Sequence, residues 1–123
     1  MSRPIGAHFH VPHGLSNAML LPAVTAFSAP AALHRYAQSA RAMGVAGEEE
    51  GDQSAVARLL DDLAALNAEL GVPTPKAYGI DPGRWNGLLE TMAQQALASG
   101  SPGNNPRVPS TGEIVEIYGR IWE

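Results

Sequence analysis

The sequence predicts an all-helical bundle of about five helices, folded as a single domain over residues 1–123. Three observations predict it. Apolar residues recur at helical spacing, most clearly Val56, Leu59, Leu60, Leu63, Leu66 and Leu70. Helix start and stop signals flank the periodic runs. No run reads convincingly as a strand.

Residues 1–13 are rich in His and Pro and read as a loop. A first helix should begin at about Gly14 and run to Phe27. Its side chains are apolar on every side, which predicts that other helices surround it. Pro22 removes one backbone donor and should kink it. Ala29-Pro30 marks a break. A second helix runs from about Ala31 to Met43, and Gly44 stops it. Val45 to Asp52 is a loop whose Glu48, Glu49 and Glu50 read as a solvated turn. The third helix, about Gln53 to Leu70, carries the clearest stripe and closes at Gly71 and Pro73. Arg58 on it should pair with Asp61 or Asp62. After a loop through Tyr78, Asp81 caps a helix with Pro82 at its first position. Trp85, Leu88, Leu89, Met92 and Ala96 form its buried stripe. Ser99 to Pro109 is a Gly-, Pro- and Asn-rich loop in which Asn104, Asn105 and Arg107 should order the backbone through side-chain bonds. The last helix opens at Ser110 with Glu113 three residues on, a capping-box pattern. Ile114, Ile117, Tyr118 and Ile121 form its inner face. Trp85, Tyr118 and Trp122 read as core rather than as stacking platforms, and His34 as partly exposed.

Composition narrows the function. The formal charge is -4 with eight Lys and Arg, which excludes a typical nucleic-acid binder. Charged residues make up 16%, below the roughly 25% of an average soluble domain. An unusually apolar surface, and hence a partner, follows. The absence of cysteine rules out disulfides and thiolate metal sites and fits a cytoplasmic location. No secretory h-region follows Met1. The charge-free run from Gly14 to Leu33 is interrupted by Pro and polar residues and reads as a buried helix, not a membrane span. No Gly-rich phosphate loop is present, so nothing here predicts nucleotide binding by the chain itself.

His8, His10 and His13 lie close together in Ala7-His8-Phe9-His10-Val11-Pro12-His13-Gly14. Imidazoles in such a cluster could hold zinc, nickel or iron. In an extended loop, however, only His8 and His10 would share a side. The plain alternative is loop histidines without a metal. His13 differs from the other two because it stands at a helix start. Partial positive charge there favours the neutral, ligating imidazole. Pro12 stiffens the approach and Gly14 leaves the front of His13 open. The plain alternative for His13 is a helix-capping role.

Pro4-Ile5-Gly6-Ala7 and Pro12-His13-Gly14-Leu15-Ser16-Asn17-Ala18-Met19-Leu20-Leu21-Pro22 together resemble the signature of the iron-containing (group III) alcohol dehydrogenases. Further likenesses follow in order: Ala40-Arg41-Ala42-Met43-Gly44, Leu70-Gly71-Val72-Pro73, Asn105-Pro106-Arg107 and Glu113-Ile114-Val115-Glu116-Ile117-Tyr118. Gly14 after His13 favours the alcohol dehydrogenase branch over the maleylacetate reductases, which usually carry Ala there. The resemblance implies the C-terminal helical part of an enzyme whose N-terminal half binds NAD or NADP. It implies iron(II) or zinc held by one Asp and three His, the metal polarising the alcohol or carbonyl oxygen during hydride transfer. His13 matches the last of those ligands; the others belong to a stretch upstream of this one. A family His near the nicotinamide falls on Arg3, a departure that puts a cation in the cleft. No ligand role carries over to His8 or His10.

One neutral donor cannot hold iron(II) firmly against water. The expectation is therefore no dehydrogenase activity, and no stably bound metal or NAD(P), from these residues alone. Two partner expectations accompany it. A separate N-terminal dehydrogenase half could complete the enzyme. Alternatively, the chain is a non-catalytic interaction module, and exposed apolar surface makes it a homo-oligomer.

Overall fold

Six α-helices and two short 3-10 turns form the computed structural model, which describes residues 1–123. The helices are α1 (Ser2–Phe9), α2 (His13–Ser28), α3 (Leu33–Ala42), α4 (Asp52–Glu69), α5 (Pro82–Ala98) and α6 (Thr111–Arg120). No helix is long and apolar enough to cross a membrane.

The expected loop over residues 1–13 is a helix for most of its length. Pro4 does no harm there, because the first-turn N–H groups of a helix have no intrahelical acceptor in any case. Ile5 is fully buried and Phe9, one turn later, packs beside it on the same core. His10 ends α1 in the left-handed conformation (φ 56°), and its N–H donates to the Gly6 carbonyl. Gly6 is demanded by space: a Cβ there would stand 3.2 Å from the Val11 carbonyl oxygen.

α2 runs unbroken through Pro22. In a regular helix the residue-22 amide would bond the Ala18 carbonyl, and proline leaves that oxygen free. Asn67 of α4 takes it up, its Nδ2 donating to the Ala18 oxygen at 2.8 Å. The expectation that other helices enclose α2 does not hold. Leu21 is 44% exposed, and Asn17 and Ala26 lie at the surface.

The local signals of the later helices hold closely. Gly44 and Gly71 both adopt positive φ just past helix ends, where a side chain would be strained. Asp81 Oδ1 accepts from the Arg84 N–H at 2.7 Å, with Pro82 in the first turn. Ser110 and Glu113 form the reciprocal capping box of α6. Two stripes are narrower than expected. On α4, Ala55, Val56, Leu59 and Leu63 are buried, but Leu66 and Leu70 are exposed. α3 has ten residues and α4 eighteen, so α4 outruns its hairpin partner. On α5, Leu88 and Leu89 are half-buried, not buried. Arg58 pairs with Glu50 at 3.1 Å, not with Asp61 or Asp62.

Two cores result. The larger joins α1, α2, α5 and α6 around Ile5, Trp85, Met92, Ile114 and Tyr118. The smaller joins α3 and α4 through Ala37, Ala40, Ala55, Val56 and Leu59. α2 packs on α1, α4 and α6 and so bridges them.

Candidate functional site

His13 is the first residue of α2, behind Pro12 at the N-cap, and it is exposed. The N-cap position of α2 is taken by Pro12, so His13 stands one residue inside the capping position. It stands at the end of α2 where partial positive charge gathers. Gly14 beside it faces open space, since a Cβ there would meet nothing within 4 Å. His13 is thus an exposed imidazole at a helix end, with open space beside it at Gly14.

The other two histidines do other things. His8 Nε2 lies 2.8 Å from Gln95 Oε1, and the His8 carbonyl accepts from Arg84 Nη2 at 2.8 Å, so this residue fastens α1 to α5. His10 is the left-handed cap already described. Arg3 is exposed on α1. No three or more His, Cys, Asp or Glu side chains are grouped so as to hold a metal ion. The donor set on this chain therefore does not fit a complete iron or zinc site, because one imidazole supplies too few convergent ligands.

A groove runs along the face of α2 that begins at His13, since Asn17, Leu20 and Val24 follow it at helical spacing. Its cavity measures about 440 Å³. Leu20, Leu21, Val24 and Phe27 form one wall, and Pro102 and Ile117 face them. Asn105 closes one end. Its Nδ2 donates to Ser28 Oγ at 2.7 Å and to the Arg107 carbonyl at 2.6 Å. The second bond is the loop ordering expected from the sequence. The first ties the loop to a fully buried serine of α2, which also donates to the Val24 carbonyl. A polar residue inside so apolar a helix needs such partners, and that was the available signal for Ser28. Arg107 lies over the Phe27 ring at 4.1 Å and pairs with Glu113.

A third polar cluster joins α3 to the start of α4. Asp52 Oδ2 lies 2.9 Å from His34 Nδ1, and Asp52 Oδ1 accepts from Arg41 Nη2 at 2.9 Å. The His34 bond, and then the Arg41 bond, hold the Asp52 carboxyl below the usual carboxylate range. A lowered carboxyl stabilises the fold above its unfolded-state value and loses that contribution as pH falls through its folded-state value. The loss belongs below about pH 4. Asp52→Asn should lower the melting temperature modestly at pH 7 and flatten its decline in acid. Parallel Tm-against-pH curves for the two proteins would count against this.

The profile described as "Fe-containing alcohol dehydrogenase family, C-terminal" matches residues 1–122. The chain is 32% identical over 123 residues to NADPH-dependent butanol dehydrogenase of Clostridium saccharobutylicum, covering 99% of this chain and 31% of that protein. It is 34% identical over 122 residues to lactaldehyde reductase of Escherichia coli K12, with the same coverage. The fold matches a crystal structure of 1,3-propanediol oxidoreductase with a TM-score of 0.88 at 26% identity, over 98% of this chain and 31% of that one. The chain thus spans about a third of the length of these relatives. With the all-helical fold and the Pro12-His13-Gly14 entrance to α2 in place, these residues belong to the iron-containing alcohol dehydrogenase family, as its C-terminal helical portion.

Proposed function

We propose that these residues act as the helical half of an alcohol–carbonyl oxidoreductase, and that His13 is their one donor to a metal whose other ligands lie outside them. The observation that carries this is the place of His13: exposed at the first position of α2 and set in the family's motif, in a chain with no group of three or more side chains able to hold a metal. A nucleotide-binding half supplies NAD(P) and the remaining ligands, as the family resemblance implies. Relatives named for butanol, lactaldehyde and 1,3-propanediol support a short-chain alcohol or aldehyde as substrate. The part played by this chain is positional: the larger core fixes the start of α2 and so the direction of the imidazole.

The test is reconstitution. The chain is assayed with NAD(H) or NADP(H), Fe(II) or Zn(II) and short alcohols and aldehydes, first alone and then with the portion of lactaldehyde reductase that precedes its matched stretch. Alone, it should show no turnover and release metal on dialysis. The mixture should retain metal and turn over, and His13→Ala should remove both properties while leaving the circular dichroism unchanged. Turnover or stoichiometric metal retention by the chain alone overturns the reading.

A further inference from the structure

We infer that Arg84 of α5 is a positioning residue for His13, bracing the turn through which α1 passes into α2; this inference rests on the function proposed above. The first turn of α2 does not secure itself. Pro12 at its N-cap supplies no side-chain cap, and His13 and Gly14 are both exposed. Uncapped helix ends fray. Within α2 the larger core grips Leu15 and the residues after it. Val11, just before the helix, is buried and gives the turn an inner anchor. The outer anchor comes from α5.

Arg84 reaches the turn in two ways with one side chain. Its Nη2 donates to the His8 carbonyl at 2.8 Å, and its guanidinium lies over the Phe9 ring at 5.3 Å. The bond takes up one of the last carbonyls of α1, which a helix leaves without a donor of its own. The charge on the donor strengthens it, and the ring adds the attraction of a π face for a cation. His8 Nε2 lies 2.8 Å from Gln95 Oε1, so α5 holds the same residue at a second point. No ion pair of the chain includes Arg84, so no carboxylate competes for its guanidinium. Beyond this anchor His10 turns left-handed, and Gly6 stands close against the Val11 carbonyl. A turn with so little slack passes a displacement at His8 on to His13. A metal ligand must be placed to within about 0.5 Å, so a loosened turn matters more to the imidazole than to the fold.

Arg84→Met keeps the aliphatic stem and removes the donors and the charge, and Arg84→Lys returns a cation. The Arg84 backbone N–H, which bonds the Asp81 cap of α5, survives both changes. In the chain alone, NMR relaxation should show the amides of residues 8–13 loosened in Arg84→Met, those of the remaining helices unchanged, and Arg84→Lys closer to the parent. The second measurement adds Co(II), a coloured stand-in for the metal, and the preceding portion of lactaldehyde reductase. There Arg84→Met should bind Co(II) about tenfold more weakly, as loss of an outer partner does at a metal site, and shift the cobalt absorption spectrum. Arg84→Lys should recover most of both, and a role in folding alone would leave the spectrum unmoved. Should Arg84→Met lose helicity, Gln95→Ala removes the other bond to His8 and should move the same readouts in the same direction. Unchanged amide motion over residues 8–13 overturns the inference. Loosened amides with parental Co(II) affinity and spectrum show that Arg84 braces the fold and not His13, and overturn it as well. Both results leave the proposed function standing. A parent mixture that holds no metal overturns the proposed function, and the positioning role with it.

Discussion

Trp85→Ala should destabilise the protein by about 3–5 kcal/mol, the range for deleting a large buried aromatic side chain. Total stability for a domain is about 5–15 kcal/mol, so much of the population could unfold. Trp85 is 1% exposed. It packs on Phe9 of α1 at 5.5 Å, on Tyr118 of α6 edge-on at 5.8 Å and on Trp122 at 5.6 Å. One side chain of α5 thus holds two other helices and the C-terminal segment, and its removal costs contacts on every side. Its indole Nε1 is buried without a hydrogen-bond partner. Trp85→Phe should therefore cost markedly less, because it deletes area but no bond. Urea unfolding followed by circular dichroism measures both variants. A Trp85→Ala protein within about 1 kcal/mol of its parent would contradict this packing account.

Ile5→Ala should cost about 2–5 kcal/mol, and much of the damage should be local. Ile5 is the only fully buried hydrophobic side chain of α1, and it anchors a helix of eight residues. So short a helix is not stable without tertiary contacts. The α3–α4 hairpin has its own core and should keep its protection. Hydrogen exchange followed by mass spectrometry should show α1 amides exchanging far faster while those of α3 and α4 change little. Uniform acceleration across all six helices would mean that the two cores do not act separately.

Features written in adjacent residues were legible in the sequence. The Asp81 cap, the Ser110–Glu113 box and the stops at Gly44 and Gly71 each depend on a few neighbouring residues, and each stands where expected. Features that depend on distant partners were not. α1 looks like a loop because its stabilising contacts come from α2 and α5, not from its own propensity. Leu66 and Leu70 follow the helical period, but periodicity does not say where the neighbouring helix ends. Arg58 had carboxylates at the right helical spacing and took Glu50 from the preceding turn instead. His13 stood out by its place at a helix entrance and by motif likeness. The bond between Ser28 and Asn105 spans 77 positions; a serine inside an apolar helix signalled the need for a partner, but not which one.

Pro22 and Asn67 together have a consequence for how the two cores are aligned. A proline usually counts as a flaw in a helix, yet here the unclaimed oxygen of Ala18 becomes a socket that one amide on α4 can fill. Sliding α4 by a turn would leave a partly enclosed carbonyl dry, at a penalty that sideways slippage of greasy faces alone would not impose. The imino acid thereby works as a detent: it lets apolar surfaces supply adhesion while a single notch decides the stacking offset.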